Sequence, residues 1–169
     1  MINPSASRPR LRAAALAGGA ALAVAVACAN PAAGPSGGST DPLTAPYDSS
    51  LRIDISTYQV TTNGVFTKDS TVGGGNVVNT GKTVSLRYVG RLVDGTIFDQ
   101  DTATGAAPLA FTIGAGTVIP GFAEGLLGMR AGGKRVLIIP PKLGYGSVPR
   151  AGIPANSILI FSITNLTSN

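Results

Sequence analysis

From Leu51 onward, apolar and polar residues alternate along most of the chain, and glycine or Asp-Gly interrupts the alternation repeatedly. Residues 83–89 (TVSLRYV) follow the two-residue period of a strand with one buried face. Residues 134–139 and 157–166 are more continuously apolar and predict two further, more deeply buried strands. Asp94-Gly95 predicts a tight hairpin turn. The pattern therefore predicts an antiparallel sheet of about four to six strands.

Only residues 122–129 (FAEGLLGM) have a helical period. Phe122, Leu126 and Met129 recur at spacings of four and three, and the glycines of residues 131–133 provide a stop signal. Two internal glycines weaken such a helix by about 1 kcal/mol each, so it must depend on packing against the sheet. A single short helix on a half-buried sheet predicts an α+β fold.

The first 28 residues have the layout of a secretory signal peptide. Three arginines precede an uninterrupted run of 15 small and apolar residues (13–27), which is too short to span a bilayer comfortably. The alternative is a buried Ala-rich helix, which Gly18-Gly19 and the following polar stretch fit poorly. We therefore expect export.

Cys28, the only cysteine, directly follows Ala25-Val26-Ala27. This order resembles the bacterial lipobox, in which a lipid-modified cysteine becomes the first residue of the mature protein. Leu is usual three residues before that cysteine, whereas this chain has Ala25, and the same residues would serve an ordinary A-x-A cleavage site. A lone thiol in an exported protein favours lipid attachment at Cys28, and secretion without an anchor is the alternative.

Residues 29–50 consist mainly of Pro, Gly, Ser, Thr and Ala. A segment with so few bulky apolar residues cannot bury enough surface to offset the entropy of ordering its backbone. We expect three regions: a signal peptide at 1–28, a flexible tether at 29–50 and a folded domain at 51–169. A disordered remnant of secretion is the alternative for the middle region.

Composition excludes several kinds of chemistry. With no His and one Cys in 169 residues, the chain has no imidazole base, no Ser-His or Cys-His pair, no His-containing zinc site and no internal disulfide. The formal charge of +5 suggests nucleic-acid binding, but three of the basic residues precede the apolar run. The pair Lys134-Arg135 predicts a strand start with solvated charges. We therefore expect no nucleic-acid partner and no metal or other cofactor.

Three blocks of sequence together resemble the FKBP family of peptidyl-prolyl cis-trans isomerases. They are VSLRYVGRLVDGTIFD (84–99), VIPGFAEGLLGMRAGGKRVLIIPPKLGYG (118–146) and GIPANSILIFSI (152–163). The blocks follow the family order and spacing over residues 64–166, and the second is close to the family's bacterial form. The resemblance implies a half-barrel, a strongly twisted antiparallel sheet wrapped around one short helix.

The resemblance also implies an apolar, aromatic-lined pocket that takes in a prolyl side chain and promotes rotation about the Xaa-Pro bond. The Ile119 N–H and the Tyr145 hydroxyl would hold the peptide carbonyls, while Asp99 would orient the pocket through Tyr88 or interact with the displaced carbonyl carbon. Rotation makes and breaks no covalent bond, so no nucleophile is needed. The implied catalytic residues are Tyr88, Phe98, Asp99, Ile119 and Tyr145, and the implied substrate-binding residues are Phe111, Val118, Phe122, Ile153 and Phe161.

Each assignment has a plainer alternative. The phenylalanines could be ordinary core residues. Tyr88 could lie on an edge strand with an exposed hydroxyl, Asp99 could cap a local turn, and Tyr145 could be a structural plug between two glycines. Two departures from the family pattern bear on activity: Phe122 stands where Trp is common, which lowers the expected turnover, and the loop at 145–153 is about one residue shorter, which leaves substrate choice and macrolide affinity open.

The combined prediction is an exported isomerase with a lipid anchor, facing the periplasm or cell exterior, that assists the folding of exported proteins. The resemblance implies proline-containing polypeptides as partners, macrolides such as rapamycin as inhibitors, and a monomeric state. The alternative from another class is a non-catalytic chaperone or adhesion module that grips proline-containing segments. A third hypothesis is a β-rich domain with a structural role only.

Overall fold

The computed structural model describes residues 39–103, 105 and 107–169. The predicted signal peptide, the lipid-attachment residue Cys28 and the first part of the predicted tether lie outside these residues. In the described part, no helix is long and apolar enough to cross a membrane. The strands are β1 (Gln59–Val60), β2 (Phe66–Thr71), β3 (Thr83–Arg91), β4 (Ile97–Asp101), β5 (Leu109–Thr112), β6 (Lys134–Ile139) and β7 (Leu159–Ser168), and the single α-helix of the described residues is α1 (Pro120–Leu126).

The seven strands form one sheet in the order β1-β2-β6-β7-β3-β4, with β5 also paired to β3. Every pairing is antiparallel. The predicted α+β fold with an antiparallel sheet and one short helix is therefore confirmed, although the sheet exceeds the predicted four to six strands because it includes the short β1 and β5. The predicted hairpin turn at Asp94-Gly95 joins β3 to β4, with the Gly95 N–H donating to Leu92 O at 3.0 Å.

Strand alternation gives the sheet two different faces, as β7 illustrates. Leu159, Phe161 and Ile163 point toward α1 and belong to the main core, whereas Ile160 points to the opposite face. That second face carries a smaller apolar cluster of its own: Phe66, Ile138, Ile158 and Ile160. Because successive side chains on a strand point to opposite sides, one strand contributes to both clusters.

Helix α1 begins with Pro120, which is favourable in the first turn because its missing N–H has no partner there anyway. A Cβ atom added at Gly125 would lie 2.8 Å from Leu137 Cδ2, so this glycine lets the helix approach β6 closely. The carboxylate of Glu124 accepts hydrogen bonds from Thr61 and Asn63, which ties the helix to the turn between β1 and β2. The glycine that weakens the isolated helix is thus required by its packing.

Arg135 differs from the sequence prediction, which placed it among solvated charges. Its side chain is buried and bonds to both carboxylate oxygens of Asp69, at 2.6 and 2.9 Å. Its Nη1 also donates to the carbonyls of Gly125 and Leu127, at 2.9 and 3.0 Å. Arg135 lies on the strand face that points to α1, so its guanidinium satisfies carbonyls at the end of the helix.

Residues 39–58, which we call the strap, cover the face of the sheet opposite α1. Tyr47, Leu51 and Ile53 pack against the second apolar cluster, and the Tyr47 hydroxyl donates to Pro42 O at 2.8 Å. The Asp48 N–H bonds to Val93 O at 2.8 Å. Residues 39–50 of the predicted tether therefore pack on the domain, and residues 51–58, which have strand-like composition, contain short 3₁₀ turns instead.

Candidate active site

A cavity of about 520 Å³ lies between α1, the sheet and the loop that follows β6. Phe122 forms its floor: it is only 3% exposed, and its ring centroid is 4.9 Å from that of Phe161 and 5.8 Å from that of Tyr88. Phe98 meets Phe161 edge-on at 5.5 Å. Edge-to-face contacts of this kind are a favourable arrangement of aromatic rings, so the floor and walls of the cavity stabilise one another.

Tyr88 and Asp99 are joined across neighbouring strands. The Tyr88 hydroxyl donates to Asp99 Oδ2 at 2.6 Å, and Asp99 pairs in register with Gly90, two residues along β3 from Tyr88. Burial, followed by this hydrogen bond, raises the pKa of Tyr88. The phenol therefore stays protonated at neutral pH and keeps donating to the carboxylate. Because β3 is an interior strand, the alternative that placed Tyr88 on an edge strand is wrong.

Gly90 allows the aromatic wall to close over β3. A Cβ atom at this position would lie 2.8 Å from Phe98 Cζ and 3.0 Å from Phe161 Cε1. Real Cβ atoms do not approach other carbon atoms so closely, so any larger residue would push these two rings apart. The glycine is required by packing, and not by an unusual backbone conformation.

Residues at both ends of the segment 118–146 form the entrance to the cavity. Val118 and Ile119 line it just before α1, and the Ile119 carbonyl accepts the Phe122 N–H at 3.0 Å, so the helix fixes this residue. On the other side stands Tyr145, with the guanidinium carbon of Arg150 5.5 Å from its ring centroid. Tyr145 is partly buried and also reaches a neighbouring cleft.

The neighbouring cleft of about 470 Å³ shares Asp99, Tyr145 and Arg150 with the main cavity. Phe98 and Ile153 line this cleft and not the main cavity. Seven of the predicted site residues thus line the main cavity and two more line the cleft beside it. The seven are Tyr88, Asp99, Val118, Ile119, Phe122, Tyr145 and Phe161.

Phe111 is the predicted pocket residue that lines neither cavity. It is buried behind Phe122, with their ring centroids 5.9 Å apart, while Leu109 lines the main cavity in its place. Both residues point to the same side of β5, but Phe111 pairs with Val84, at the end of β3 far from Tyr88. Phe111 therefore packs against Phe122 and does not line the cavity. The residue that does, Leu109, lies two residues earlier on β5, which is one strand period from the predicted residue.

Sequence reasoning also missed four further lining residues: Thr117, Gly144, Val148 and Arg150. Thr117 and Gly144 directly adjoin predicted site residues, so neighbourhood alone could have indicated them. Val148 and Arg150 lie in the loop at 145–153, whose shorter length leaves substrate choice open. Among the described residues, no group of three or more His, Cys, Asp or Glu side chains could hold a metal ion.

Comparison with known proteins shows similarity to relatives from several organisms. FK506-binding protein 3 of Candida albicans is 47% identical over 100 residues, which is 59% of this chain and 23% of that protein. FK506-binding protein 4 of Mycosarcoma maydis is 43% identical over 115 residues, or 66% of this chain and 30% of that protein. The chain thus spans less than a third of the length of these curated relatives.

Solved structures give the same result. AtFKBP13 superposes with a TM-score of 0.57 at 37% identity, covering 64% of this chain and 95% of that one. FkpA from Escherichia coli superposes with a TM-score of 0.60 at 35% identity, covering 72% and 55% of the two chains. The family model described as FKBP-type peptidyl-prolyl cis-trans isomerase matches residues 74–166, more than half of the sequence. The chain therefore belongs to the FKBP-type peptidyl-prolyl cis-trans isomerase family.

Proposed function

We propose that this chain catalyses rotation about Xaa-Pro peptide bonds in the cavity above Phe122. The observation that carries the proposal is the aromatic floor and walls beside the hydrogen-bonded Tyr88–Asp99 pair. This combination offers a proline ring an apolar surface, and it offers the adjoining amide a few oriented polar groups.

The reaction suits a site without acid-base machinery. Amide resonance opposes rotation with a barrier of about 18 to 20 kcal/mol, and no covalent bond changes. In the twisted transition state the carbonyl and nitrogen lose conjugation, so the group is less dipolar than the planar ground state. A water-poor aromatic cavity therefore disfavours the planar amide relative to the twisted one.

Holding one side of the bond lets the other side turn. The Ile119 N–H and the Tyr145 hydroxyl stand on opposite sides of the entrance and would hydrogen-bond the peptide carbonyls. Asp99, fixed by Tyr88, would orient the entrance or face the displaced carbonyl carbon. Phe98 and Ile153, in the neighbouring cleft, would contact residues that flank the proline.

NMR exchange spectroscopy on a short Leu-Pro peptide, with a catalytic amount of the full chain, tests this proposal. We expect faster cis-trans exchange, abolished by rapamycin, because the relatives are named as FK506-binding proteins and a macrolide would occupy the same cavity. Peptide binding without faster exchange would support the non-catalytic chaperone or adhesion module. A folded chain that neither binds nor accelerates would leave only a structural role.

We infer further that the chain is exported, anchored by lipid at Cys28, and active as a monomer on proline-containing polypeptides outside the cytoplasm. The basic start, the apolar run and the cysteine after Ala25-Val26-Ala27 support export and anchoring. Metabolic labelling with radioactive palmitate tests the anchor. Label should depend on Cys28, and label retained in Cys28→Ala would contradict lipid attachment there.

A further inference from the structure

A second cavity, of about 520 Å³, lies on the strap side of the sheet, away from the proposed active site. Three cations line it, Arg52, Lys68 and Arg91, together with the serines Ser50, Ser70 and Ser162. None of the Asp or Glu residues in the described ranges is part of its lining. The cavity therefore combines positive charge with hydroxyl donors, and the isomerase reaction uses none of these groups.

Strand register places two of the cations over one face of the sheet. Lys68 on β2 pairs with Val136, which pairs with Ser162, and Arg91 on β3 pairs with Ile160. Strands β6 and β7 lie between the two cations, so their backbones are about 14 Å apart across the sheet, at three strand spacings, and are offset by two residues along the strands. Lysine and arginine side chains are long enough to reach toward each other over the apolar surface between them.

The strap closes the cavity with Arg52, whose backbone is left-handed, with φ 49° and ψ 40°. A residue with a Cβ atom adopts this conformation at a cost, and glycine or asparagine is the usual choice. The turn itself requires only that the Arg52 N–H donate to Ser49 O, which a glycine would do equally well. The turn therefore does not require an arginine, and the contribution of Arg52 is its side chain in the lining of the cavity.

The two acidic residues that flank Arg52 in the strap, Asp48 and Asp54, form no ion pair with these cations. Asp48 accepts the Ser50 N–H at 2.8 Å, and Asp54 accepts the Ser56 hydroxyl at 2.6 Å, so both carboxylates turn back onto their own turns. Asp54 attracts Lys68 electrostatically without forming an ion pair with it. The ion pairs in the described part of the chain are Arg87–Asp101 and Arg135–Asp69, and neither includes a cation that lines this cavity.

Lys68 is held in place by uncharged groups. Its Nζ donates to Thr57 Oγ1 at 2.8 Å and lies 5.6 Å from the centroid of the Tyr58 ring. These contacts orient the ammonium group, which is also attracted by Asp54 at longer range. None of the three cations forms an ion pair within the described residues, so each can contact an external anion.

We propose that this cavity binds an oxyanion of the phosphate class, held by Arg52 and Arg91 with Lys68 and the hydroxyls of Ser50 and Ser162 in support. Guanidinium groups match phosphate oxygens with paired N–H donors, and hydroxyls complete the set. The apolar floor at Val136 and Ile160 lowers the local dielectric constant and strengthens each charge interaction. Free phosphate and the phosphodiester of an anionic phospholipid share this chemistry.

Amide NMR of the full chain, titrated with sodium phosphate against sodium chloride at matched ionic strength, tests the site. We expect saturable shifts at the amides of Arg52, Arg91 and Ser162. Arg91→Gln should weaken binding about tenfold, as loss of a charged hydrogen-bond donor predicts. The matched control is Arg130→Gln, which removes the same charge from an exposed residue elsewhere and should leave the affinity unchanged.

Arg52→Gly separates binding from stability. Glycine relieves the left-handed backbone, so the unfolding midpoint should stay equal or rise, while phosphate affinity falls about tenfold. A folded Arg52→Gly chain with unchanged affinity would overturn the role of Arg52. Because Arg52→Gly should stay folded, a loss of phosphate affinity in this variant cannot be attributed to unfolding.

Co-sedimentation with vesicles distinguishes the two sources of the anion. Stronger sedimentation of the full chain with phosphatidylglycerol than with phosphatidylcholine, reduced in Arg91→Gln and unchanged in Arg130→Gln, identifies a lipid headgroup. Saturable phosphate shifts without any vesicle preference identify a free anion. If phosphate shifts do not saturate and Arg91→Gln sediments like the parent chain, or if Arg130→Gln weakens binding equally, the proposal is wrong.

Discussion

The two faces of the sheet are closed in different ways. The face toward α1 is closed by a helix and by aromatic rings in edge-to-face contact, and it contains the proposed active site. The opposite face is closed by the strap, which packs aliphatic residues and tyrosines onto Phe66, Ile138 and Ile160. The same strands serve both faces, so the sheet separates the apolar cavity on one side from the cationic cavity on the other.

The two faces also differ in how much of each lies within the region that the family model matches. The matched family model covers residues 74–166, so the aromatic cavity lies within it, whereas the strap, β1 and β2 precede it. Strand β2 still pairs with β6 in the sheet, and Lys68 from β2 lines the cationic cavity. Part of the lining of the cationic cavity therefore lies outside the region that the family model matches.

The largest expected effect comes from adjacent residues on β7 that point to opposite faces. Ile160 and Phe161 are 3% and 5% exposed, so replacing either with alanine should cost about 3 to 4 kcal/mol of unfolding free energy, measured in urea. Only Phe161 lines the active-site cavity. Among folded molecules, Ile160→Ala should retain isomerase activity and Phe161→Ala should lose most of it.

Activity per folded molecule is the control for this pair, and it requires measurement well below each urea midpoint. Equal loss of activity in both variants would show that the two faces are mechanically coupled through β7. Equal retention would contradict the assignment of Phe161 to the pocket wall.

Within the pocket face, the Tyr88–Asp99 hydrogen bond should matter next. Tyr88→Phe removes a donor to a carboxylate, which is worth about 1.5 kcal/mol, so kcat/KM should fall about tenfold while the fold remains. Asp99→Val should reduce it further. Since Tyr88 is proposed to act by positioning Asp99, Tyr88→Phe should have little additional effect in the Asp99→Val background. Full additivity of the two changes would contradict this.

The strap should show a smaller, pH-dependent effect at Tyr47. Tyr47→Phe removes the hydrogen bond to Pro42 O, which should cost about 1 kcal/mol at pH 8. Burial raises the pKa of Tyr47 to about 12, above the usual value of about 10 in the unfolded chain. The folded state therefore keeps its proton longer, and the stability from Tyr47 declines as pH rises from about 10 through 12. The difference in urea midpoint between parent and Tyr47→Phe should shrink over that range, and a constant difference would contradict the assignment.

Sequence patterns predicted the pocket face well because period and motif spacing are local signals. Strand β6 has the predicted bounds, and β7 is displaced by two residues at each end, since Ser168 pairs with Val84 near the start of β3. The family resemblance placed Phe111 in the pocket, but Leu109, two residues earlier on the same face of β5, lines the cavity instead. Only their distance from Tyr88 distinguishes them, and that is a tertiary quantity.

The strap could not be predicted in the same way. Residues 51–55 alternate with a strand period but adopt no strand, and Ser, Thr, Asp and Pro make up most of residues 39–50. Such a composition favours a flexible tether until a separate apolar surface is present to receive Tyr47 and Leu51. The burial of Arg135 could not be predicted from the sequence either, because the carbonyls that its side chain contacts belong to helix α1 and the residue that follows it.

The smallest expected effect concerns Arg150, at the boundary between the pocket and its neighbouring cleft. The guanidinium rests over the Tyr145 ring with no ion pair to Asp99, so it can attract an acidic residue beside the substrate proline. Exposed charge pairs contribute about 0.2 to 1 kcal/mol, so the ratio of kcat/KM for Glu-Pro over Gln-Pro peptides should fall about two- to fivefold in Arg150→Gln. High salt should reduce the ratio in the parent chain, whereas Arg130→Gln should leave it unchanged. An unaltered ratio in Arg150→Gln would show that Arg150 does not attract the acidic residue.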